Sequence, residues 1–169
     1  MQTAEPEVHD GVALLFAGDV VLTLWNAPAR LHRSRWVYDR VDEFASKQSN
    51  GLLALMIILP TAEMPDGATR AENSTRLRRL APSVRRLVTV IQGDEFRDTV
   101  VRSGLRLMSL PLGAGRVVVT SNLRDAFAKL SKSAGPHTPP LPELREAAVR
   151  LYFALGLELP ETLRDALPT

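Results

Sequence analysis

The chain has 169 residues, 45% hydrophobic, 24% charged and 5% aromatic, which describes an ordinary globular protein able to bury a core without metal or disulfide support. With no cysteine, it excludes a disulfide scaffold, a thiolate zinc site, an iron–sulfur cluster and a cysteine nucleophile. The net charge is only +2, and with three His and two Tyr few groups titrate near neutrality, so the pI of about 9.4 is no argument for a nucleic-acid partner.

Residues 1–10 carry three acids and no basic side chain, and read as a flexible polar lead-in rather than a signal peptide. The β-rich runs 12–16 and 20–25 are joined by Gly18-Asp19, which tolerates positive φ and predicts a hairpin. Val37, Val41, Phe44 and Ala45 fall on one stripe and predict a helix over 34–47, closed by Asn50-Gly51. The run 52–59 is apolar without alternation, as expected of a strand covered on both faces. Its eight residues are far short of the ~20 that span a bilayer, so no membrane partner is expected and the expected location is the cytoplasm.

A loop through Pro65-Asp66-Gly67 leads to a helix over 69–81, stopped near Pro82. A fourth strand follows at 87–91, then a helix at 95–110 and a fifth strand at 117–120. Asn122 is placed to cap a helix at 123–132. The order β-β-α-β-α-β-α-β-α predicts an α/β layer fold with about five strands over residues 11–132. Residues 133–142 hold four prolines and read as a linker to a helical C-terminal extension at 143–169. The stripe Leu144, Ala148, Leu151, Tyr152 and Leu155 predicts a helix that docks on the core, and the tether also leaves exchange within a homodimer geometrically open.

Residues that usually carry chemistry are sparse. His9, His32 and His137 lie apart and without ligand spacing, so no metal is expected. Gly93-Asp94-Glu95 sits where phosphate loops sit, but it lacks further glycines and its two acids repel an anion, so no cofactor is expected there. No nucleophile–base pair or carboxylate pair is readable, and the expectation is a protein without catalytic residues. The competing enzyme reading requires a site assembled from loops at the strand carboxyl ends.

Arginine is the conspicuous residue. Between residues 70 and 86 six arginines, among them Arg76, Arg79 and Arg86, face one acid, Glu72. With Leu77, Leu80, Ala81 and Val84 turned to the sheet, these arginines are expected on the solvent side. They then form either a plain solvated face or a surface for an acidic protein partner. The same face is the basis of an anion- or nucleic-acid-binding alternative, disfavoured because no aromatic residues interleave the arginines.

From residue 11 to about 132 the element order is similar to that of STAS-like domains, the fold of SpoIIAA-like and anti-sigma-factor-antagonist proteins. The closest local resemblance lies in the strand Arg86-Leu87-Val88-Thr89-Val90-Ile91, running through Gln92-Gly93-Asp94-Glu95 to Phe96. The resemblance implies a non-enzymatic regulatory module that works by protein–protein interaction, as in bacterial signalling. The phosphorylated members carry an Asp-Ser pair with glycine at the start of the helix after the third strand. Here that place is held by Pro65-Asp66-Gly67-Ala68-Thr69, without the Asp-Ser pair, and Thr69 is the nearest hydroxyl. By this resemblance Asp66 and Thr69 are the expected partner-binding residues, with Thr69 the one candidate phosphosite.

Overall fold

The computed structural model describes residues 4–93, 99, 102–103, 110–113 and 115–164. Six strands form one mixed sheet whose spatial order follows the chain: β1 (Glu7–His9), β2 (Val12–Ala17), β3 (Val20–Trp25), β4 (Leu52–Ile58), β5 (Val84–Ile91) and β6 (Val117–Thr120). The first three strands pair antiparallel and the rest parallel. Parallel neighbours need a crossover. The first two are the helices α1 (Leu31–Ala45) and α2 (Gly67–Leu80). The helix expected at 95–110 lies mostly outside the described residues, of which Thr99, Arg102 and Ser103 are helical. After β6 come α3 (Leu123–Ser131), α4 (Leu141–Ala154) and the short α5 (Glu161–Arg164).

Alternation along the strands sorts the side chains into two cores. Leu15, Leu22, Leu24, Leu53, Leu55 and Ile57 pack with Phe127, Leu130, Leu144 and Leu151 of α3 and α4. Leu14, Val21, Leu52 and Leu87 pack on the other face with Val37, Val41 and Leu80 of α1 and α2. The crossover helices thus cover one face and the C-terminal helices the other. This explains the missing polar alternation in β4, because a strand buried on both sides has no solvent face.

Three expectations need correction. The sheet has six strands rather than five, because Glu7–His9 of the presumed lead-in pairs with β2 as β1. A three-residue strand is too short to show a period. Its turn was nonetheless legible: Asp10 (φ 46°) and Gly11 (φ 82°) both take positive φ, as the type I′ two-residue hairpin requires and as Asp-Gly favours. The helices α1 and α2 begin at Leu31 and Gly67, and β5 begins at Val84, two or three residues before the expected starts. Residues 133–140 are also tied down. Asp19, at the β2–β3 turn and 1% exposed, pairs with Arg85 and accepts a hydrogen bond from Thr138 Oγ1 at 2.7 Å. Arg85 donates to the Ser133 carbonyl at 3.0 Å, and a Cβ on Gly135 would meet Arg85 Nη1 at 2.8 Å, so only glycine fits there unchanged. This latch delivers α4 onto β2 and β3 of its own chain.

Candidate functional site

The loop at 59–66 leaves the carboxyl end of β4 beside the loop that leaves β3. The two loops are fastened together, Leu59 N–H donating to the Trp25 carbonyl at 3.0 Å and Thr61 Oγ1 to Asn26 Oδ1 at 2.6 Å. Asp66 has extended backbone and caps α2, its carboxylate accepting from the Thr69 N–H at 2.8 Å. The hydrogen bond from the Thr69 N–H, with the nearby charges of Arg30 and Arg70, holds the Asp66 carboxyl below the usual carboxylate range. Arg30 lies 3.7 Å from Glu63 and 3.9 Å from Asp66, and all three are exposed. Thr69 is 0% exposed. A phosphoryl group could reach its hydroxyl only if the first turn of α2 opened.

The arginines of α2 do not form one free basic face. Arg76 is mostly buried against three carboxylates, 2.9 Å from Asp39, 2.9 Å from Asp42 and 3.2 Å from Glu72. Arg79 also reaches Asp42, at 3.4 Å. Two of these acids come from α1, which lies beside α2, so charges far apart in sequence meet across the helix pair. Arg86 stands on β5, half-buried, with a buried Nε that has no hydrogen-bond partner. It enters the sheet near the end opposite the 59–66 loop, beside Leu53. The five expected partner-binding residues therefore do not converge: Asp66 and Thr69 lie together, Arg76 and Arg79 belong to an ion-pair network, and Arg86 is elsewhere.

Behind the 59–66 loop lies a feature that the sequence reading missed. A cavity of about 150 Å³ separates the sheet from α1 and α2, and Ala62, Met64 and Pro65 of the loop help to line it. Its origin is a thin helix layer. The inward stripe of α2 reads Thr69, Asn73, Leu77, Leu80, with only two apolar members, and β4 offers the small Ala54 opposite. Ala54 and Met56 are consequently only half-buried at the centre of the sheet, whereas Leu53, Leu55 and Ile57 on the other face are 0–1% exposed. Polar residues at helix positions of core spacing, Ser34 in α1 with Thr69 and Asn73 in α2, were the signal that could have found it.

His9 and His32, expected to lie apart, meet edge to face with ring centroids 6.2 Å apart. His9 stacks on Trp36 at 5.1 Å, and His32 Nε2 lies 2.8 Å from Asp10 Oδ2. Among the described residues no three metal-ligating side chains gather, and no helix is long and apolar enough to cross a membrane. Comparisons with family models, curated proteins and solved structures give no match.

Proposed function

We propose that the chain is a non-enzymatic regulatory module of the STAS-like type, which recognises another protein through the 59–66 loop and the start of α2. The observation that supports this reading most is the placement of exposed, mixed charge at Glu63 and Asp66 of a fastened loop and at Arg70 in the first turn of α2. That loop stands at the carboxyl ends of the parallel strands, where open α/β sheets meet their ligands. The preference for an acidic partner rests on less, because Arg76 and Arg79 spend their charge on acids of the same chain.

The test is a capture experiment from native lysate with mass-spectrometric readout, run on the parent and on a Glu63→Arg/Arg70→Glu double variant. Neither side chain is buried, so the variant should fold with an unchanged circular dichroism spectrum. Loss of a captured protein in the variant supports the reading. Equal capture by both chains removes this loop from the interface, and a captured set no different from that of a control domain counts against the module itself.

A further inference from the structure

We propose that the cavity between the sheet and helices α1 and α2 is a binding site for a small neutral molecule, about the size of one aromatic ring and carrying a hydroxyl group. The inference is independent of protein recognition at the loop. It starts from size and lining. At about 150 Å³ and walled mainly by apolar side chains, the cavity, partly open to solvent, matches in volume an apolar cavity that takes up benzene. Among the described lining residues only Glu63 carries a charge at neutral pH, and burial with the neighbouring Asp42 pushes the Tyr38 hydroxyl further above its ordinary range.

One end of the cavity is different. Trp25, Ser34 and Asn73 all line it, and each has a buried polar atom without a hydrogen-bond partner: Nε1, Oγ and Oδ1. Trp25 is 8% exposed and Ser34 1%. The Ser34 hydroxyl is informative because helical hydroxyls usually bond to the carbonyl one turn back. Thr75 does so to Ala71 at 3.1 Å and Ser131 to Phe127 at 2.9 Å, whereas Ser34 does not. Trp25 ends β3, and Ser34 and Asn73 lie in the first halves of α1 and α2, which start from the carboxyl ends of the strands. The three unpaired atoms thus belong to the end of the cavity under the 59–66 loop.

The ligand chemistry follows. The indole N–H of Trp25 needs an acceptor and the Asn73 Oδ1 needs a donor, and a hydroxyl supplies both. A carboxylate head would meet Glu63 with no cation among the described lining residues. The ring then points away from the loop, towards Leu52, Leu80 and Val84.

Benzyl alcohol, titrated into the full chain, should produce a saturable change in tryptophan fluorescence, through Trp25, and a raised thermal midpoint. Benzoate should bind at least about tenfold more weakly, the effect expected of one uncompensated charge. Ala54→Phe, which fills the void from β4, should abolish binding. If that variant does not fold, Leu77→Phe fills it from the half-exposed side of α2. Ser34→Ala should weaken benzyl alcohol several-fold while leaving toluene unchanged. The site is overturned if neither benzyl alcohol nor toluene gives a saturable response, or if a folded cavity-filling variant binds as the parent does. Equal affinity for benzoate overturns the neutral head group, and an equal loss of toluene and benzyl alcohol in Ser34→Ala overturns its placement.

Discussion

Asp19 occupies a position where loop residues are normally solvated, yet it is 1% exposed and holds Arg85 and Thr138 at once. Burying a carboxylate is tolerable only with charge and hydrogen-bond compensation, which both partners supply. Asp19→Ala leaves the Arg85 guanidinium, 28% exposed, without its anion, and should cost about 2–4 kcal/mol. Thr138→Val removes two hydrogen bonds, the one donated to Asp19 and the one accepted from the Gly135 N–H, and should cost about 1–3 kcal/mol. Urea unfolding followed by circular dichroism measures both. An Asp19→Ala chain within about 0.5 kcal/mol of the parent, the range of an indifferent surface change, would show that the latch contributes nothing.

At the level of elements, α2 depends on its cap more than most helices do, because its buried residues are only Thr69 and Leu80. Asp66→Ala should lower the thermal midpoint by roughly 2–4 °C, and Asp66→Ser, which retains a capping oxygen, should restore most of it. The sign with pH follows from the lowered Asp66 carboxyl. Its contribution is present above the ordinary carboxylate range and is lost as pH falls through the lowered value, so the parent–Ala difference should vanish in acid. A difference that persists after protonation would assign the effect to something other than the charged cap. The same helix shows what was legible beforehand. The boundaries of β4 and the hairpin at Gly18-Asp19 were readable because apolar runs and turn residues are local signals. The fate of Arg76 was not, because its partner Asp42 is 34 residues away on another helix. Nothing in one helix reports which charges its neighbour will present. The cavity was half-legible: Thr69 and Asn73 stand at core spacing, but only the thin layer above Ala54 shows that no described side chain fills the gap.

For the molecule as a whole, both tyrosines report on packing from opposite faces of the sheet. Burial raises Tyr152 on α4 to about 12, and burial with the charge of Asp42 raises Tyr38 on α1 further. A neutral phenol favoured by the fold contributes stability that is complete below the ordinary value near ~10 and is lost as pH rises through the folded values. Tyrosinate absorbance should therefore stay absent past pH ~10 and appear together with loss of the circular dichroism signal. A reversible titration near ~10 in a folded chain would contradict the burial of these rings. The chain has two tyrosines, so each accounts for half of the amplitude.

The sheet in which spatial order equals chain order has a consequence for synthesis. Each strand's first neighbour has already left the ribosome when the strand emerges, so the sheet can grow without waiting for distant segments. Its second face cannot be finished in that way. Leu15, Leu22 and Leu24 of β2 and β3 wait for α4, which begins more than 110 residues later, and the contact between Thr138 and Asp19, 119 positions apart, can close only just ahead of it. A nascent chain halted before residue 141 should carry a complete sheet with one adhesive side, and should sediment as aggregate or be recovered with a chaperone bound. A soluble, monomeric 1–138 fragment would mean that another segment shields that face during synthesis.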